Sequence, residues 1–482
     1  MNMTLTCLSA AGILLAAVGC GARSDLWGLP DTFAGSDADT DPGTDTVSDM
    51  DVPHEPETDV PPATSTWIVR LGGTEADMAL SVVEAAGGIF IAGQTYSFVQ
   101  TTDPLMYDID EWIIKLDLDG SVLLQESLGG MGQDEAYAVI AGRDGNVIVA
   151  GSTASHGAGW TDMWVLELDS QGRVAAQGTV GTRDDWDHAY ALTETSDGGL
   201  AMAGSFMGGE GVVKLGADGR VAWYAAMSFV DIYAVTETAD GGLAMAGNWA
   251  GLDIWIGKLD AAGRLLWQKQ IGGVRYDAAW GIIEAADGTL LVSGNTEPFT
   301  TTSETWPLDM WIGRLAADGT VLWQRTVGGD GGESGNSIIE DADGGFIVAG
   351  TASTAEGENY DMAVLEIDAD GAVVWQKMIG GSGYEEGRSV AVTHDGGYVV
   401  VGSVSDDASG SPDVLAAKLG PDGSFHGPCS LVRDSAFSSD ESRLPVSDGT
   451  TEPRIEGEVF QQESAESARP SDASPDRLCP EP

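Results

Sequence analysis

Basic residues are scarce in this chain of 482 residues: 22 Lys and Arg stand against 76 Asp and Glu, for a formal net charge of −54. A surface of that sign repels phosphate backbones and anionic headgroups, which disfavours nucleic acid and lipid surfaces as partners and favours divalent cations or basic proteins. The plainer reading is that acidity keeps an exported protein soluble. Histidine is scarcer still, and the five (His54, His156, His188, His394, His426) show no metal-ligand spacing. The four cysteines form no C-x-x-C, and no G-x-S-x-G elbow presents a nucleophilic serine. Helical periodicity never persists for ten residues between positions 66 and 429, which argues against helices there.

The most apolar stretch, residues 8–18, is too short to span a bilayer and ends in small residues before Cys20, as a signal peptide does. "AAVGC", residues 16–20, resembles the lipobox of bacterial lipoproteins. The resemblance implies cleavage of residues 1–19, lipidation of Cys20 and, with Gly21 following, the outer membrane or cell surface; ordinary secretion is the alternative. Residues 20–65 are rich in Asp, Thr and Pro and cannot bury enough surface to offset chain entropy, so they read as an acidic tether. The acidic stretch 430–482 is expected to be mostly disordered likewise. It carries Cys479, whose one remaining partner in a mature, acylated protein is Cys429.

Between these ends one phrase recurs: "KLDAAGRLLWQKQIGG" at 258–273, "RLAADGTVLWQRTVGG" at 314–329 and "EIDADGAVVWQKMIGG" at 366–381. Aligned on its Trp, seven slots appear at Trp67, Leu124, Ala176, Trp223, Trp267, Trp323 and Trp375, spaced by 57, 52, 47, 44, 56 and 52 residues. Such a period marks a propeller or solenoid. Each unit holds four short strand-like runs separated by Asp-Gly or Gly-Gly pairs, which supply the positive φ of tight hairpins. "DADG" also resembles the start of a calcium loop, but Gln171 and Ala262 replace the acid in two copies and the downstream Glu is missing. The array opens on an orphan fourth strand (66–73) and closes on a third strand (413–420) whose own fourth is lost. The expectation is an all-β, seven-bladed β-propeller over 66–429, closed by the N-terminal strand completing the last blade. The recurring Trp is expected to pack between blades.

The pattern D-M-W-I-x-x-L-D-x-x-G-x-V-x-W-Q-K-x-x-G-G, followed by D-G-G-F-I-V-A-G, resembles a bacterial extracellular β-propeller repeat family. It implies a propeller on an exported protein and no established chemistry. "IDADGAVVW", residues 367–375, resembles the blade-docking motif of pyrroloquinoline quinone dehydrogenases, which have eight blades and a vicinal cysteine pair, both missing here.

Antiparallel connectivity puts the longer and more variable loops on one face, where binding groups usually sit. Tyr96, Tyr107, Trp160, Trp249, Trp306 and Tyr360 there offer stacking surfaces to a glycan or peptide, or pack against their own loops. Asp77, Asp134, Asp187, Asp277, Glu333 and Glu385 recur before the first strands, and Asp110, Asp162, Asp253, Asp309, Asp361 and Asp413 before the third. They read either as structural acceptors of loop N–H groups or as an acidic ring holding Ca²⁺. The functional expectation is a monomeric, non-enzymatic scaffold without cofactor, binding an unidentified protein or carbohydrate. A hydrolase or quinoprotein-like enzyme using acids on the same face is the alternative.

Overall fold

The structure is a computed structural model that describes residues 65–479 apart from 100–107, 274, 298–307, 330, 354–358, 406–409, 427–428, 436, 443, 449–459, 463–468 and 471–475. The signal, Cys20 and the tether lie outside the described residues, as do Tyr107 and Trp306.

Seven antiparallel sheets succeed one another along the chain. Blade 1 comprises Asp77–Ala85, Gly88–Thr95, Asp110–Leu116 and Val122–Leu128. Blades 2 to 6 repeat the scheme, opening at Asp134, His188, Val230, Asp277 and Glu333. Blade 7 has Tyr384–Val392, Tyr398–Ser405 and Asp413–Leu419, and its fourth strand is Trp67–Leu71, with Trp67 opposite Lys418 and Leu71 opposite Val414. Blade 7 and blade 1 then share one apolar core, including Val399, Val401 and Val414 with Ala79 and Val82. The chain is thus a closed seven-bladed β-propeller.

Second and third strands are covered on both faces by neighbouring blades, so every residue of Gly88–Thr95 and Asp110–Leu116 is buried. This is why they read as continuous apolar runs. The hairpin turns follow the Asp-Gly chemistry. The Asp117 carboxylate accepts the N–H groups of Asp119 (3.0 Å) and Ser121 (2.8 Å), while Gly120 takes φ +79°. Blades are also stapled across their tight turns. Glu194, Glu237, Glu284, Glu340 and Glu84 accept the N–H of Arg143, Ser196, Ala239, Ala286 and His394 in the preceding blade, at 2.6–2.8 Å.

The recurring Trp-Gln phrase divides its labour differently from the sequence expectation. Trp223, Trp267, Trp323 and Trp375 do lie at blade junctions, but they are only half-buried. The fully buried indoles are those of the third strands, Trp112, Trp164, Trp255 and Trp311. A Gln that follows the slot turns inward to meet three of them: Trp164, Trp255 and Trp311 donate Nε1–H to Gln177 (after Ala176), Gln268 and Gln324 at 3.1, 2.8 and 3.1 Å.

The described parts of the C-terminal stretch include strands where the sequence led us to expect irregular chain. Short strands from it add to the outer edges of six blades: Val432–Asp434 on blade 6, Ser438–Glu441 on blade 5, Val446–Asp448 on blade 4, Phe460–Gln462 on blade 2, Arg469–Pro470 on blade 1 and Asp476–Arg477 on blade 7. These strands follow one another round the ring against the order of the blades, and Cys479 is disulfide-bonded to Cys429, just before the first of them. Edge addition needs main-chain groups rather than apolar side chains, so composition hides it. Charge assists: Lys269 and Lys377, from the W-Q-K phrase, pair with Asp448 and Asp434 of the lap. Leu444 and Phe437 pack into the cores beneath. Closing a loop with a sequence separation of 50 restricts the unfolded chain by about 4 kcal/mol in the entropy model.

Candidate functional site

Each innermost strand carries a one-residue irregularity at its midpoint, where one residue is left unpaired against the second strand. A bulge of this kind re-aims a side chain. The residues concerned are Leu80, Tyr137, Tyr190, Tyr233, Trp280, Asn336 and Arg388, one per blade, on the strands that surround the central channel. Four of them form an aromatic arc across blades 2 to 5. Tyr137 meets Tyr190 edge-on at 5.2 Å, Tyr190 lies 6.3 Å from Tyr233, and Tyr233 stacks on Trp280 at 4.5 Å.

The arc ends on a cavity of about 390 Å³ at the loop-rich face of blades 5 to 7, walled by Trp280, Tyr276, Tyr360 and Tyr384 and floored by Asn336 and Arg388. Its polar groups are held in place. Trp280 donates Nε1–H to Asn295 Oδ1 at 2.5 Å, Asn336 donates to the Gly387 carbonyl at 2.6 Å, and Arg388 pairs with Glu386 at 2.8 Å. Tyr360 and Tyr384 lean together at 5.2 Å on its rim. Further round the channel, Tyr137 donates to Glu135 at 2.5 Å, and burial raises the Glu135 carboxyl. Burial, with Asp231 nearby, pushes Glu210 up to about 8.

Of the residues anticipated from sequence, Tyr360 belongs to this cavity. Tyr96 and Trp249 are half-buried on other blades, and Trp160 stands 59 % exposed against Trp186, 5.7 Å away. The structure therefore disperses Tyr96, Trp160 and Trp249 rather than gathering them. The channel aromatics were missed by the sequence reading, although a small–large–small triplet marks three of the four: A-Y-A at 136–138 and 189–191 and A-W-G at 279–281.

The acids do not converge as a calcium ring. Among the described residues no three His, Cys, Asp or Glu side chains could share a metal ion. Asp77, Asp134, Asp187, Asp277, Glu333 and Glu385 are each buried under their own loop, binding its main chain. Asp77 accepts the Gly73 N–H (2.7 Å), Asp134 that of Gly130 (2.9 Å), Asp187 that of Thr182 (2.6 Å) and Asp277 that of Gly273 (3.0 Å). Glu333 and Glu385 do the same for Gly329 and Gly381, both at 3.2 Å. The second series comes up from the other side of the loop. A Cβ built on Gly272 would lie 2.4 Å from Asp253 Oδ1 and 2.7 Å from Asp277 Oδ2, and Gly380 is similarly flanked by Asp361 and Glu385. Glycine leads the Gly-Gly loop because two carboxylates close on it.

That crowding has a pH signature. Burial, reinforced by Asp253, pushes the Asp277 carboxyl up to about 6. The folded state therefore holds the proton more tightly than the unfolded chain, where the group titrates at about 4. Its contribution to stability is fully present below about pH 4 and is lost as pH rises through about 6. Wild type should thus lose on the order of 1–3 kcal/mol relative to Asp277→Asn across that window, and nothing further above it. Melting temperatures of both proteins from pH 4 to 8 check this, and a difference that does not change with pH would refute it.

No protein-family model matches the chain, and no curated protein matches it. Among solved structures, one described as the Dos1 propeller is 10 % identical with a TM-score of 0.40, covering 73 % of this chain and 95 % of that one. Puromycin hydrolase is 14 % identical with a TM-score of 0.40, and this chain spans 53 % of its length while 70 % of this chain is covered. The tail fiber of Staphylococcus aureus phage P68 is 8 % identical with a TM-score of 0.27, covering 59 % of this chain and 49 % of that one. What defines the class of this protein is its own strand order: a seven-bladed β-propeller with an aromatic-lined channel.

Proposed function

We propose that this protein is a lipid-anchored surface propeller that binds a neutral glycan at the channel mouth of blades 5 to 7, without chemical turnover. The observation that carries the reading is the cavity of about 390 Å³ joining Trp280, Tyr276, Tyr360 and Tyr384 to Asn336, Arg388 and Glu386. Aromatic rings offer flat apolar surfaces to the C–H faces of sugars, and fixed amide, guanidinium and carboxylate groups bond to hydroxyls. The net charge of −54 disfavours acidic glycans. Anchoring rests on the "AAVGC" resemblance, and mass spectrometry of the mature protein would reveal acylated Cys20.

The test is a glycan array followed by titration. Trp280→Ala should weaken binding at least tenfold, about 1.4 kcal/mol, at a temperature well below the melting point of the variant, where both proteins are folded. Binding by the variant equal to wild type would overturn the site. A second reading, a glycan hydrolase, is favoured by Glu210, whose carboxyl at about 8 would stay protonated at neutral pH as a general acid requires. Turnover of a bound glycan, abolished by Glu210→Gln, would establish it in place of the first.

A further inference from the structure

The propeller contains its own internal standard at the blade junctions. On six of the seven fourth strands, one side chain is laid against the outer turn of the next blade. A Cβ built on the turn glycine meets it: Trp67 at Gly120, Leu124 at Gly172, Trp223 at Gly263, Trp267 at Gly319, Trp323 at Gly371 and Trp375 at Gly423. Three of the indoles donate Nε1–H to the carbonyl two residues before that glycine, Leu118 (2.8 Å), Ala317 (3.0 Å) and Ala369 (3.1 Å).

Two of the seven junctions depart, and only one is compensated. Leu124 is smaller than Trp, but Phe90 on the second strand of the same blade fills in, so that a Cβ on Gly172 would lie 2.3 Å from Leu124 and 3.6 Å from Phe90. Blade 2 carries Ala176, in the same register: it stands opposite Glu167 as Trp267 stands opposite Lys258. The position matching Phe90 is Ile148, opposite Glu167 as Phe90 is opposite Lys115. The junction is left with a cavity of about 220 Å³ between blades 2 and 3, walled by Ile148, Val165, Leu200 and Leu215, with Ala176 and Gly219 beside it and the polar Glu167, Gln177 and Asp218 also lining it. A mainly apolar pocket with a few polar groups suits a flat aromatic ring that carries a hydrogen-bonding edge.

We propose that this cavity is a second binding site, independent of the channel, for a bicyclic aromatic ring bearing an N–H donor, of the size of an indole. The ring enters where tryptophan sits at the neighbouring junctions. Its N–H faces the carbonyl of Ala217, two residues before Gly219, as the tryptophan N–H groups face Leu118, Ala317 and Ala369. Five junctions show that this fold accommodates an indole in this seat. Blade 2 alone keeps the seat and lacks both the indole and a substitute for it.

The probe is indole itself, titrated into the full-length, disulfide-bonded protein by calorimetry and ligand-observed NMR. Saturable binding at one site per molecule is expected, weakened several-fold for 1-methylindole, which has no N–H. Ala176→Trp should abolish binding and raise the melting temperature by installing the missing side chain. Ala176→Leu, the residue blade 1 uses, should weaken binding at least tenfold and serves if the Trp variant fails to fold. Absence of saturable binding up to the solubility of indole, or unaltered binding in both variants, would overturn the site. Equal affinity for indole and 1-methylindole would overturn the role of the Ala217 carbonyl.

Discussion

Replacing Trp311 by Ala should destabilise the ring by about 3–5 kcal/mol, the range for emptying a buried aromatic position. Trp311 is fully buried in the core shared by blades 4 and 5, among Ile254, Ile256, Leu290 and Val292. Its ring folds over Gly313, where a Cβ would lie 2.3 Å away, so the cavity cannot be refilled by a neighbouring side chain on that side. The loss also unmakes a relay to the periphery. Trp311 donates to Gln324, and Gln324 donates to the Leu444 carbonyl of the C-terminal lap at 3.3 Å. Trp311→Phe should cost less than the Ala variant, because it keeps most of the apolar volume. Guanidinium denaturation followed by far-ultraviolet circular dichroism measures both. A loss below about 1 kcal/mol in the Ala variant would contradict the packing assigned to it.

Deleting residues 66–73 should have a larger effect still: an insoluble product rather than a weakened one. Trp67, Ile68, Val69 and Leu71 are all buried, and the strand is the fourth member of blade 7. Its loss uncovers the edge of Asp413–Leu419, breaks the Arg70–Asp413 ion pair at 2.6 Å and removes the pairing partner of Asp476–Arg477. An uncovered edge flanked by apolar surface is a template for intermolecular pairing. Size-exclusion chromatography of the soluble fraction decides the matter. A monomer with the melting temperature of wild type would show that the ring does not depend on this closure.

Much of the architecture was legible because it is written seven times. The Trp-Gln phrase, the Asp-Gly turns and the mismatched ends determine blade number, hairpin order and the closing strand. The channel was not legible. A one-residue bulge breaks the period-2 alternation on which strand faces are assigned, so Tyr137, Tyr190, Tyr233 and Trp280 looked like ordinary strand residues. The acids were recognised as two periodic series, but only folding shows that members of the two close on one glycine, as Asp253 and Asp277 do at Gly272. The C-terminal lap was hidden for a different reason, since its strands join edges through backbone groups that every sequence possesses.

A propeller blade touches only its neighbours, and repeat arrays therefore tend to come apart from an end. Here the described C-terminal strands act as a hoop round six staves of a cask, and the Cys429–Cys479 bond is the rivet. The six staves it pairs with cannot spring outward without dragging one another, and a cut in one of their surface loops leaves the pieces bound together rather than shed. Toughness towards nicking is thus a property of the whole circuit, held by one covalent link.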